Sequence, residues 1–123
     1  MGKHVLRNER GFTLIEIIAV LVILGILAAV AIPKYFDMQT QARQSAVSGA
    51  VAALQSTATQ DYAKNLLTTP STTTYTPTAS SVVVGDFTGS IVNAAGAVTV
   101  TVTAGPTWWT SSITGNSKSF SLY

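Results

Sequence analysis

"RGFTLIEIIAVLVILGILAAVAIPKYF", Arg10 to Phe36, is the stretch on which the reading of this chain turns. From Leu14 to Ile32 its only charged residue is Glu16. About twenty apolar residues in helical form extend roughly 30 Å, enough to cross the hydrocarbon core of a bilayer. A carboxylate in such a helix costs on the order of 3 kcal/mol at the centre and less near an end, so Glu16 is either incidental, at the membrane interface, or there for a partner.

The same run accounts for the composition. The chain has 123 residues, 47% of them hydrophobic and 10% charged, which is unusual for a freely soluble protein of one small domain. Its formal charge of +2 is unevenly placed: Lys3, Arg7 and Arg10 precede the apolar run, offset by Glu9. Without residues 1–11, Lys34, Arg43, Lys64 and Lys118 face Glu16, Asp37, Asp61 and Asp86, four against four. A neutral remainder with no cluster of aromatic and basic residues gives no basis for specific nucleic-acid binding. The absence of cysteine excludes disulfides and thiolate metal sites, and the single His4 leaves no nucleophilic triad or histidine metal site to propose. No cofactor and no enzymatic activity are expected. Asp86 beside Gly85 suggests a calcium loop, but with only Asn93 nearby it falls short of the six to eight oxygens such a site gathers, and a turn is the simpler reading.

Working outward, residues 34–66 change period. Val47, Ala50, Val51, Leu54, Ala58, Tyr62 and Leu66 recur at steps of three and four, with Arg43, Gln44, Ser48, Gln55 and Gln60 on the other side, the pattern of an amphipathic helix. The two zones predict one long helix bent at Pro33, whose ring removes a hydrogen bond to Ala29 and crowds that carbonyl. Gly25 weakens the same stretch by about 1 kcal/mol relative to alanine, making Gly25–Pro33 the part most easily unwound. Thr68 to Ser81, "TTPSTTTYTPTASS", lacks periodicity and reads as an exposed loop, plain or carrying O-linked sugar on its hydroxyls. Beyond it "AVTVTVT", Ala97–Thr103, alternates as a half-buried strand does. Val82–Phe87, Ile91–Val92, Thr107–Ile113 and Ser119–Leu122 are candidate flanking strands, separated by Gly89, "NAAG", Gly105-Pro106 and Gly115-Asn116 as turns. The expected fold class is α+β: a long N-terminal helix, apolar then amphipathic, packed on a small antiparallel β-sheet head. The expected segments are 1–11 as a leader, 12–33 as the membrane and assembly helix, 34–66 as the amphipathic helix, 67–81 as the loop and 82–123 as the sheet.

Adjacent Trp108 and Trp109, if in a strand, face opposite sides, one in the core and one at the surface, at a subunit contact or in a carbohydrate platform. Tyr35 and Phe36 read as anchors at the membrane interface, and Lys34, Asp37 and Arg43 as a solvated face or a bridge between subunits.

Three readings of the N-terminus compete. A secretory signal would be cut after Ala29-Val30-Ala31, but the apolar run is too long, starts with a carboxylate and is followed closely by Pro33. A plain membrane anchor, oriented by Lys3, Arg7 and Arg10, leaves Glu16 unexplained. A cut between Gly11 and Phe12 would create a cationic amine one helical turn from Glu16. That carboxylate would then complement the helix dipole and pair with the amine of its own or a neighbouring chain.

On these residues, "RGFTLIEIIAVLVILGILAAVAIP" resembles the prepilin N-terminus shared by type IV pilins and type II secretion pseudopilins. The order of glycine, Phe-Thr-Leu-Ile-Glu, apolar helix, mid-helix glycine and proline carries the likeness. "PKYFDMQTQAR", Pro33–Arg43, looks like the following segment in pilins of the mannose-sensitive haemagglutinin type. The resemblance implies that a prepilin peptidase cuts after Gly11 and N-methylates Phe12, and that Phe12 and Glu16 serve subunit assembly. It also implies that the helix unwinds between Gly25 and Pro33 within the filament. The implied partners are copies of this chain in a helical filament, the peptidase and N-methyltransferase, a pilus assembly platform, and the inner membrane before assembly. The implied product is a major pilin of an extracellular pilus for adhesion, motility or DNA uptake; the alternative is a pseudopilin of a periplasmic fibre, with a plain membrane-anchored binding domain ranked behind. Many family members close the C-terminal region with a disulfide, which this chain cannot form.

Overall fold

A computed structural model describes residues 11–70, 74–77 and 80–122 of the chain. Most of the expected leader, with Lys3, His4, Arg7, Glu9 and Arg10, lies outside the described residues, as do 71–73 and 78–79 of the Thr/Ser/Pro-rich loop. The elements are one helix, α1 (Leu14–Thr68), and four strands, β1 (Val82–Val84), β2 (Phe87–Ala94), β3 (Ala97–Ala104) and β4 (Ser117–Ser121). The fold is therefore α+β, as the two periodicities require. The helical assignment of α1 runs unbroken through Pro33, and the chain divides into two compact units between Met38 and Gln39.

In the second unit the strands form an antiparallel meander in the order β1-β2-β3-β4. Two-residue turns set the register. Val84 pairs with Phe87 across Gly85-Asp86, where Gly85 takes φ 57°, and Ala94 pairs with Ala97 across Ala95-Gly96, with φ 50° and 89°. Positive φ at the first central residue, as at Gly85, or at both, as at Ala95-Gly96, is the backbone that matches the strand twist in a tight hairpin. Val98, Val100 and Val102 of β3 point inward and are buried, while Thr99 and Thr101 face out and meet Ser119 and Ser117 at 2.7 and 2.9 Å.

Val47, Ala50, Val51, Leu54 and Ala58 of α1 close the core with Phe87, Ile91 and the three valines of β3. Each large aliphatic side chain so buried contributes about 1.5–3 kcal/mol. Leu54, 1% exposed, occupies the space that a side chain on Gly89 would need: a Cβ there would lie 2.2 Å from Leu54 Cδ1 and 2.9 Å from the Thr101 carbonyl.

Several expectations are corrected. Gly89 lies within β2, next to a register shift, and is glycine because of Leu54 rather than because of a turn. Val82–Phe87 is two strands, since Gly85-Asp86 turns the chain. Thr107–Ile113 is not a strand: Trp109 N–H donates to the Pro106 carbonyl at 2.8 Å and Ile113 N–H to the Thr110 carbonyl at 3.2 Å, closing successive turns. Trp108 and Trp109 consequently do not alternate, and both are half-buried. The buried stripe of α1 ends at the partly buried Tyr62, and Leu66 is exposed.

The loop is not wholly exposed either, because Tyr75 within it is only 2% exposed. Its hydroxyl donates to Asp61 Oδ2 at 2.8 Å, its ring meets Tyr62 edge-on at 5.6 Å, and its carbonyl accepts a hydrogen bond from Asn93 Nδ2. Burial first, then the hydrogen bond and negative charge of Asp61, hold the Tyr75 phenol well above the usual tyrosine range.

Candidate functional site

The start of α1 is built by local chemistry. Thr13 precedes the first helical residue, and its carbonyl accepts from Glu16 N–H at 3.1 Å and from Ile17 N–H at 3.4 Å. Glu16 reaches back in turn, its Oε2 accepting the Thr13 N–H at 2.9 Å. Thr13-Leu14-Ile15-Glu16 thus has the sequence of a capping box and makes the Glu-to-backbone bond of that arrangement, and Glu16 also lies in the first turn, where a carboxylate complements the dipole. Thr13 was not among the residues singled out from the sequence, although Thr-x-x-Glu before an apolar run is the signal that finds it.

This arrangement determines what Glu16 can do. Its side chain is held within a turn of Phe12, in a shallow apolar cleft that Phe12, Ile17, Val20 and Leu21 form around it. One amide N–H satisfies part of the acceptor capacity of a carboxylate, which has two oxygens and about four lone-pair sites. The remainder is open to a cation approaching the helix end.

The other sequence-derived positions fall as follows. Gly11 and Phe12 precede the helix, and Phe12 is 85% exposed. Every residue from 11 to 42 is exposed, including the large apolar side chains Ile18, Leu21, Val22, Ile23, Leu24, Ile26 and Leu27. This first stretch of α1 is long and apolar enough to cross a membrane by length and composition, and none of it is buried within the chain. Among the described residues nothing lies within 4 Å of a Cβ added at Gly25, so no contact among them requires glycine there. Pro33 lies inside α1, and Tyr35 and Phe36 just past it stand edge to face at 6.3 Å, both exposed. Of the charged trio after the proline, Lys34 and Asp37 are exposed, but Arg43 is half-buried with its guanidinium 5.7 Å from the centre of the Trp108 ring. No group of acidic or histidine side chains suited to a metal ion occurs among the described residues.

Comparison with known proteins gives the same region prominence. A model of the family described as "Prokaryotic N-terminal methylation motif" matches residues 6–32. The chain is 47% identical over 49 residues to the type IV narrow pilus major component PilA5 of Thermus thermophilus, covering 40% of this chain and 42% of that protein. It is 46% identical over 48 residues to the type II secretion system core protein G of Pseudomonas aeruginosa, covering 39% of this chain and 34% of that protein. With a fimbrial protein of Neisseria meningitidis the similarity runs further, 40% identity over 97 residues, or 76% of this chain and 55% of that protein. The chain thus spans well under two thirds of the length of the relatives it matches. No solved structure matches it.

Proposed function

We propose that this chain, which belongs to the type IV pilin and type II secretion pseudopilin family, is the major structural subunit of a type IV pilus. The observation that carries this reading is the exposure of the whole apolar half of α1 around a single carboxylate at its first turn. A helix of that kind needs lipid before assembly and other helices after it.

In this reading residues 1–11 are a leader, the cut falls between Gly11 and Phe12, and the new amine of Phe12 is methylated. Residues 12–33 hold the precursor in the inner membrane with the head, segments 34–66, 67–81 and 82–123, on the far side. Glu16 then offers its open acceptor sites to the Phe12 ammonium of an adjacent copy, while the Thr13 amide fixes the carboxylate at the helix end. Because lipid tails are as apolar as the helix, association gains from packing and polar pairing rather than from hydrophobic transfer. An unmatched carboxylate in lipid raises the energy of the free subunit, so pairing sets both the drive and the register of stacking. Gly25 and Pro33 supply the backbone that yields as helices pack, Gly25 having no packing duty among the described residues.

Glu16→Ala and Glu16→Gln test this together. Both are expected to be cut and held in the membrane, with filament yield down by about tenfold or more, the factor that a loss of about 1.4 kcal/mol produces. Glutamine keeps an acceptor for the Thr13 N–H but not the charge. Filaments from Glu16→Gln at the normal yield would show that capping, not charge pairing, is what the position supplies. The similarity to core protein G supports a second reading, a pseudopilin of a periplasmic fibre, which predicts processed protein in the cell envelope and none in material sheared from the surface.

A further inference from the structure

Arg43 lies one turn before the buried stripe of α1 begins at Val47, and it is held in an unusual way. Its guanidinium lies over the Trp108 ring, 5.7 Å from the centroid, and Trp108 is itself fixed by an edge-on contact with Phe87 at 5.9 Å and 75°. Among the described residues the Arg43 side chain makes no hydrogen bond and no ion pair, although the residue is half-buried. Five N–H donors in a rigid fork are therefore positioned and left unmatched.

These donors border a cleft of about 370 Å³. Its other walls include Gln44, Thr110, Ser112, Ile113 and Thr114, all neutral. The Thr110 and Ser112 hydroxyls are 3.1 Å apart, and Gln44 Nε2 approaches Thr114 Oγ1 at 3.4 Å, so the wall presents hydroxyl and amide groups that both donate and accept. One forked cation, an aromatic edge, one aliphatic side chain and a ring of hydroxyls complement a compact ligand with one carboxylate and several hydroxyls.

We infer that this cleft is a binding site for an acidic sugar of the uronic-acid class. The sugar carboxylate takes the Arg43 fork as a bidentate pair, its hydroxyls bond to Thr110, Ser112 and Gln44, and its apolar ring face rests on Ile113 and the rim of Trp108. Trp108 serves chiefly to aim the guanidinium, since Arg43 already covers one of its faces. A bare inorganic anion would use the arginine alone and leave the hydroxyl wall unmatched. A nucleic-acid strand would need several cations in line, and the cleft holds one. The inference rests on the head alone and stands whether the fibre is a pilus or a pseudopilus.

The test is titration of the full chain in detergent with tetragalacturonate, followed by tryptophan fluorescence, alongside the neutral carboxyl-reduced tetrasaccharide and inorganic phosphate. Saturable binding of tetragalacturonate is expected, with affinity lower by about tenfold or more for Arg43→Gln and for the neutral sugar. Thr110→Val, which keeps the charge, is expected to cost a few-fold and serves as the second variant should Arg43→Gln melt early by circular dichroism. Equal affinity for the neutral sugar, or for the Thr110→Val and wild-type chains, would overturn the inference. So would phosphate binding as tightly as tetragalacturonate, which marks a simple anion site. Absence of saccharide binding together with loss of filaments in Arg43→Gln would assign the cleft instead to a carboxylate of a second copy of this chain.

Discussion

The two halves of α1 share one backbone and solve opposite problems. From Val47 to Ala58, five residues on one stripe are buried against the sheet, while Ser48 and Ser56 between them are exposed. From Leu14 to Ile32 the helix is apolar on every side and buried on none. A stripe is complete within one chain, because the sheet supplies its second surface. A helix apolar all round finds no second surface among the described residues, and the proposed function supplies one, first lipid and then other helices. Glu16 stands out because of the half it lies in: on a solvated face it would be ordinary, whereas among Phe12, Ile17, Val20 and Leu21 it is a lone carboxylate between apolar side chains.

The contrast can be broken at either half. Glu16→Ala acts on assembly, through the loss of filament yield described above, and should leave the melting of the head unchanged. Leu54→Ala should do the reverse, lowering stability of the head by about 2–5 kcal/mol in denaturant titrations while the cut and membrane insertion persist. Gly89→Ala is expected to cost about 1–3 kcal/mol in the same titration, since the Thr101 carbonyl and Leu54 must both move.

Tyr75→Phe sharpens the account of the loop. It removes the hydrogen bond to Asp61 and should cost about 1 kcal/mol near neutral pH. Its pH dependence has a definite sign. The folded phenol titrates above the unfolded one, so its stabilising contribution is present below about pH 10 and is lost as pH rises beyond that value. Melting temperatures of Tyr75→Phe and the unsubstituted chain should therefore converge above pH 10; a constant gap would mean that the raised titration is wrong. The smallest effect is expected at Ala95, a non-glycine residue at φ 50°, where Ala95→Asn should raise stability by about 0.5–1 kcal/mol.

Periodicity makes the larger elements legible in the sequence alone. "AVTVTVT" reads as β3 because alternation has one structural meaning, and Val47 to Ala58 reads as the buried stripe for the same reason. What stayed hidden depended on contacts between residues far apart in sequence. Gly89 looks like a turn glycine until Leu54 is placed against it, and Tyr75 is one aromatic in a polar tract until Asp61 and Tyr62 meet it. The tryptophans read as strand residues by β propensity, but after Gly105-Pro106 the chain closes two turns in succession. At the candidate site the lone charge of Glu16 in an apolar run is legible in the sequence. Its bond to Thr13 was legible too, in "TLIE", but is easily overlooked when the carboxylate is read only as a partner for an amine.

The central claim is that the apolar half of α1 begins at a newly made amine one turn from Glu16. The most direct measurement is intact mass, with N-terminal fragmentation, of protein sheared from the surface of cells producing the chain. The account predicts a chain that starts at N-methylated Phe12. Surface fibres built of a chain that still starts at Met1 would contradict it.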